Sequence, residues 1–167
     1  MCPSVDRWAV KGAYERMRAV FQRVTEASVR VDGEVLSQIQ NGFMILLGVQ
    51  KGDDEEDARL LADKIVKLRV FADENGRMNR SVTDVGGSLL VVSQFTLYAN
   101  YAHGNRPDFL SAELPERANA LYEHFVSLLR ERGVPTQTGS FGADMKVSLV
   151  NDGPVTIVMD SDVLRKK

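Results

Sequence analysis

The chain has 167 residues, 44% hydrophobic and 26% charged, with a net charge of −2; it is long enough for one domain with a sizeable core, and its composition is ordinary globular. The charge argues against a general nucleic-acid binder, which carries a basic surface, but not against an enzyme that grips one RNA end locally. No apolar run approaches the roughly 18–20 residues of a membrane span, the single Cys2 forms no internal disulfide and fits a reducing cytosol, and His103 and His124 without a Cys or His cluster argue against a metal centre.

Residues 1–16 have no clear period and lack the apolar core and cleavage site of a signal peptide. They read as an extension; the alternative is a short arm packing through Trp8 and Tyr14. Met17 opens the first convincing strand, over Val20 to Val24. Ser28 to Ile39 reads as a hairpin turning at Asp32-Gly33, because both central positions of a type I′ turn need positive φ. Asn41-Gly42 reads as a second such turn, and the apolar run Phe43 to Gln50 as a buried strand.

A first helix follows, capped by Asp53 with Glu56 three residues on and striped by Ala58, Leu61, Ala62, Ile65 and Leu68. The acidic run Asp53 to Asp57 is better explained by the helix dipole than by a metal. Val66 to Phe71 passes towards another strand, Asp73 to Gly87 is turn-rich, and Ser88 to Leu97 is a second apolar strand. A loop from Tyr98 to Ser111 leads to a second helix with Pro115 in its first turn and Gly133 beyond its end. Two strands, Lys146 to Val150 and Val155 to Asp160, close the chain around Asn151-Asp152-Gly153-Pro154. Residues 162–167 form a basic tail including Arg165, Lys166 and Lys167. The expectation is an α+β domain over residues 17–161, in which a curved, barrel-like sheet packs with two main helices.

No Walker loop, Gly-x-Ser-x-Gly elbow or dinucleotide fingerprint is present. Three segments are more specific: Ser93-Gln94-Phe95-Thr96-Leu97, Phe141-Gly142-Ala143-Asp144-Met145-Lys146, and Asn151-Asp152-Gly153-Pro154-Val155-Thr156. Together they closely resemble the D-aminoacyl-tRNA deacylase family. The likeness runs from Met17 to about Ser161 and includes Arg18-Ala19-Val20, Leu46-Leu47-Gly48-Val49, Asp84-Val85-Gly86-Gly87 and Arg106-Pro107. His103-Gly104 and Asp108 stand where the family usually has Lys-Gly and Ser.

The resemblance implies a cytoplasmic homodimer that needs no cofactor or metal and has its active site at the subunit interface. It would act on the aminoacylated 3′ end of tRNA, with no membrane or DNA partner. Ser93, Gln94, Phe95 and Thr96 would form the catalytic pocket. Gly153 and Pro154 of the partner subunit, joined by a cis bond, would enter it. Phe141 and Met145 would flank the adenine, Arg23 and Asn151 would serve the substrate site, and Arg106 and Lys146 would meet phosphates. Two mechanisms stay open: Thr96 as nucleophile, or a scaffold in which amides near Phe95 and Thr96 hold the oxyanion. Competing functions are a non-catalytic nucleic-acid-binding module, a small-molecule esterase, and a related deacylase aimed at misacylated L-alanine.

Overall fold

The computed structural model describes residues 16–165; the expected N-terminal arm (apart from Arg16), with Cys2, Trp8 and Tyr14, and the terminal Lys166 and Lys167 lie outside them. The described chain runs β1 (Arg18–Val31), β2 (Glu34–Ile39), β3 (Gly42–Gly48), α1 (Glu55–Lys67), β4 (Phe71–Ala72), β5 (Met78–Arg80), β6 (Ser88–Ser93), a 3₁₀ turn (Phe95–Tyr98), α2 (Pro115–Glu131), β7 (Thr136–Thr138), β8 (Lys146–Asp160) and α3 (Ser161–Arg165). It is α+β, as expected, with a third short helix besides the two main ones.

β1 is the axis of the sheet. The turn at Asp32-Gly33 has the two positive φ values of a type I′ hairpin, 50° and 80°, and sends β2 back along one edge of β1. β3 continues along that same edge, because β8 occupies the other from Arg18 to Arg30. Asn41-Gly42 is therefore a bend within one long antiparallel track, not the second hairpin turn its composition suggested. Gly42 stands there because β6 crosses it: a Cβ would fall 1.7 Å from the Ser88 carbonyl oxygen. β6 pairs parallel to β3, and β7 parallel to β6, with α1 and α2 in the two crossovers.

Alternation along β3 and β6 then builds two cores. Phe43, Ile45, Leu47, Leu89 and Val91 meet Leu61, Ile65, Phe125 and Leu129 of the helices. Met44, Leu90 and Val92 face the other way, towards Val24, Ala27, Val29 and Ile39. The sheet rolls around this second cluster, with Met145, Val147 and Leu149 half-buried at its margin.

Helix termini differ from the sequence reading by one residue. Asp54 caps α1 and Asp57 completes the capping box. Asp53 instead folds back, accepting the Gln50 amide at 2.6 Å. Asp57 is fully buried and holds α3 in place: Ser161 Oγ and Arg165 Nε both donate to its Oδ1 at 2.8 Å. Burial alone would raise the Asp57 carboxyl, but Arg165, the Asp54 amide and Ser161 outweigh it and hold it below the usual range. Arg165 is thus a tether rather than a solvated tail residue. α2 begins with Pro115 and is followed by Gly133 at φ 81°, as the sequence indicated.

Candidate functional site

Of the Ser93–Leu97 segment only Ser93 belongs to a strand. β6 stops at Ser93 and the chain tightens into a 3₁₀ turn. The Gln94 amide still donates to the Leu47 carbonyl at 2.8 Å, which keeps the turn against β3. Beneath it lies the buried Tyr98, whose hydroxyl sits 3.0 Å from the Gly48 carbonyl and 2.9 Å from that of Arg16. A Cβ on Gly48 would strike the Tyr98 ring at 2.8 Å. Arg18 pairs with Asp160 at 2.7 Å and reaches the Leu97 carbonyl at 3.4 Å. Tyr98 and Arg18 are supports that sequence reasoning missed, although Tyr98 directly follows the motif and Arg18 lies in a segment already matched.

Above these supports the turn is open. Phe95 is 57% exposed, held from one side by the edge of Phe109 at a centroid distance of 5.1 Å. The first amides of a helical turn have no carbonyl partner inside it, so the N–H groups of Phe95 and Thr96 head this one. The Thr96 hydroxyl is 2.9 Å from Gln94 Nε2, which donates to it. No carboxylate or imidazole among the described residues is hydrogen-bonded to it. Gln94 thus holds the Thr96 hydroxyl in place, and among the described residues no nucleophile–base pair is formed.

Phe141 and Met145 come to the same end of β6. The Gly139 amide donates to the Val91 carbonyl at 3.1 Å, and Met145 lies so close to Gly139 that a Cβ there would be 2.6 Å from its sulfur. Phe141 stands 6.2 Å from Tyr122, ring centre to ring centre, on the wall of a groove of about 420 Å³ that also includes Asn119 and Arg130. Arg106 is exposed on its loop. Lys146 is exposed too, paired loosely with Asp144 at 3.3 Å.

Gly153 and Pro154 belong to a different place. They do not separate two strands, as the sequence suggested: Thr156 pairs with Gln22 and Asn151 with Val24, so Asp152 to Val155 bulge out opposite Arg23 within the single strand β8. The Gly153–Pro154 bond is cis. Asn151 closes the base of the bulge, its Oδ1 accepting the Val155 amide at 2.7 Å and its Nδ2 donating to the Val155 carbonyl at 3.2 Å. Arg23 grips the bulge of its own chain, donating from Nε to the Asp152 carbonyl at 2.8 Å and from Nη1 to the Val70 carbonyl at 2.6 Å. Asp152, Gly153 and Pro154 are exposed.

The two motifs are far apart within the chain. Ser93 lies in register with Leu47 and Ala19, the bulge with Arg23 and Phe43. Four residues along the strands and three strand spacings across amount to about 13 Å and about 14 Å, the second shortened by curvature.

A family model described as D-Tyr-tRNA(Tyr) deacylase matches residues 20–160. The D-aminoacyl-tRNA deacylase of Pelobacter propionicus is 58% identical over 144 residues, covering 86% of this chain and 99% of that protein. The Thermus aquaticus protein of the same name is 58% identical over 145 residues, covering 87% and 95%. Among solved structures, the c-Myc DNA unwinding element binding protein is similar with a TM-score of 0.81 at 44% identity, over 85% of this chain and 97% of that one. A probable eukaryotic D-amino acid tRNA deacylase matches with a TM-score of 0.74 over 86% and 98%; at 17% identity it speaks to the fold alone.

Proposed function

Because this chain belongs to the D-Tyr-tRNA(Tyr) deacylase family, we propose that it hydrolyses the ester between a D-amino acid and the 3′-terminal ribose of tRNA, as a proofreading step in the cytoplasm. The observation that carries the reading is the open 3₁₀ turn at Phe95–Tyr98, with a Thr96 hydroxyl that is hydrogen-bonded to no base among the described residues. Such a turn suits stabilisation of charge more than attack. Water adds to the ester carbonyl carbon, and the oxygen becomes an oxyanion held by the amides of Phe95 and Thr96. The carbon–oxygen bond to the ribose then breaks, the ribose oxygen leaves with a proton, and the free amino acid departs. The neighbouring ribose hydroxyl orients the water. An aminoacyl ester is already an activated acyl group, so no covalent intermediate is required.

In this reading the enzyme is a homodimer. The exposed Gly153–Pro154 bulge of one subunit enters the Ser93–Thr96 pocket of the other, and Phe141 and Met145 flank the terminal adenine. Backbone carbonyls of the bulge receive the substrate ammonium and leave no room for an L side chain, while a D side chain points away. Rejection by steric exclusion is weakest for the smallest substrate, so glycyl-tRNA is also cleaved.

The test is hydrolysis of D-Tyr-tRNA, L-Tyr-tRNA, L-Ala-tRNA, Gly-tRNA and a simple ester by the same preparation. Release from the D- and glycyl-tRNAs, with both L-tRNAs spared, is the expected pattern. D-Tyr-tRNA cleaved while Gly-tRNA fully resists would refute the steric account. The relative named for a DNA unwinding element favours a second reading, a nucleic-acid-binding module. Inertness towards every ester together with tight binding of such DNA would establish that reading instead.

A further inference from the structure

The bulge at Gly153–Pro154 has a neighbour on its own chain. Arg23 joins the Asp152 carbonyl of the bulge to the Val70 carbonyl through one guanidinium. Val70 follows Arg69, and Arg69 with Lys67 lines an open groove of about 490 Å³ at the end of α1, together with Thr83, Arg132, Asp63 and Asp84. The charges of this groove are unevenly committed. Arg132 is bound to Asp63, which also receives Arg59. Asp84 accepts the Ser81 amide at 2.9 Å, and this bond, ahead of the charges of Arg80 and Arg69, holds its carboxyl below the usual range. Lys67 and Arg69 are exposed, and among the described residues neither side chain has a hydrogen bond or an ion pair within 4 Å. In a chain of net charge −2, two exposed cations, of which only Arg69 acts on a neighbouring carboxylate, Asp84, stand beside an exposed hydroxyl, Thr83, as a local positive surface.

We propose that the Lys67–Arg69 groove is a phosphate-contact surface which holds the ribose–phosphate backbone of the RNA substrate while the adjoining Gly153–Pro154 bulge occupies the partner subunit's pocket. This rests on the deacylase reading and on the bulge crossing between subunits. The groove is tied to the bulge by Arg23, so it is carried to the mouth of whichever pocket the bulge enters. Each pocket then receives its chemistry from one chain and part of its grip on the RNA from the other. A cation near a phosphate adds affinity without sequence preference, and the contact weakens with salt. The competing explanation is that Lys67 only complements the carbonyl end of α1. It predicts an effect on stability and none on RNA affinity, and it gives Arg69, beyond the helix, no role.

The experiment compares the wild type with the Lys67→Gln, Arg69→Gln double variant, full chain, on two substrates: D-Tyr-tRNA, and D-tyrosyl-adenosine, which lacks phosphates. For D-Tyr-tRNA the variant's KM rises by about tenfold near physiological salt, kcat is kept, and the slope of log KM against log salt falls by about 1.4 for two single-strand phosphates. For D-tyrosyl-adenosine both constants stay unchanged. The charge-preserving pair Lys67→Arg, Arg69→Lys keeps the wild-type slope. An unchanged KM and salt slope for tRNA would overturn the proposal, as would equal losses on both substrates, which would place these residues in the support of the bulge. If the wild type cleaves neither substrate, it is the deacylase reading that fails.

Discussion

Thr96 and Gly153 carry opposite demands. At Thr96 the side chain receives a hydrogen bond from Gln94 and is bonded to no base among the described residues, whereas the amide is inherent in the backbone. Thr96→Ala should therefore keep deacylation of D-Tyr-tRNA within about tenfold, because the amide proposed to stabilise the oxyanion survives. Single-turnover kinetics measure this, and a complete loss in a folded, tRNA-binding variant would return Thr96 to the role of nucleophile. At Gly153 it is the missing side chain that matters. Its φ of 146° is one that L side chains rarely adopt, and a Cβ would lie 2.8 Å from Val155 Cγ2, 2.9 Å from the Val155 amide nitrogen and 3.2 Å from an Arg23 nitrogen. Gly153→Ala should cost about 1–3 kcal/mol in denaturant unfolding. By pushing Arg23 off the Asp152 carbonyl it should also narrow the ratio of D- to L-Tyr-tRNA cleavage. An alanine variant with wild-type stability and selectivity would show that the bulge tolerates a side chain.

At the scale of elements, the β3–α1 connection has a titratable weak point. Asp53 is 1% exposed and its Oδ1 has no hydrogen-bond partner among the described residues. Burial pushes its carboxyl up to about 7, against the lowering effect of the Gln50 amide. The folded protein thus keeps this proton to higher pH than the unfolded chain, whose ordinary value is 3.8. The stability contributed by neutral Asp53 is full below about pH 4 and is lost as pH rises through about 7. Asp53→Asn cannot ionise, so its stability relative to wild type should improve from about pH 4 to about pH 7 and level off above it in urea titrations. A constant difference across that range would mean that Asp53 titrates normally.

The same elements mark what the sequence discloses. Asp32-Gly33 was legible because its φ requirement is local. Asn41-Gly42 has the same turn chemistry, but its glycine answers a long-range demand, the approach of Ser88, which no neighbouring residue announces. Ser88 to Leu97 reads as one apolar strand, yet the strand ends at Ser93 because the following residues fold over Gly48 and Tyr98. The bulge reads as a break between two strands for a related reason: only the pairing of both halves of β8 with β1 makes it a bulge. The family motifs were recognisable by residue type, whereas Arg18, Tyr98 and Phe109 support the turn through contacts made after folding.

For the whole molecule, the separation of the two motifs is the decisive geometry. From Met145, beside β6, the chain runs out along β8 to Asn151 at the base of the bulge, about 20 Å for six residues, so the chain that brings Met145 to the pocket carries Gly153 away from it. A second copy can close that gap: in a two-fold dimer the same pair of surfaces meets twice, giving two pockets, each assembled from both chains. This makes a quantitative forecast for mixing. Phe95→Pro deletes one of the amides at the head of the turn, at a position where proline's φ suits a helical start. Gly153→Val blocks the bulge. Each homodimer should be nearly inactive. Co-refolded in equal amounts, half of the dimers are mixed, and each mixed dimer has one pocket free of both changes. About a quarter of the wild-type activity should therefore return, by the symmetry of the pairing. Light scattering should show dimers throughout, and activity should fall on dilution below the dissociation constant. If both motifs served one chain's own pocket, mixing would restore nothing, and an active monomer in the scattering peak would rule out the shared site.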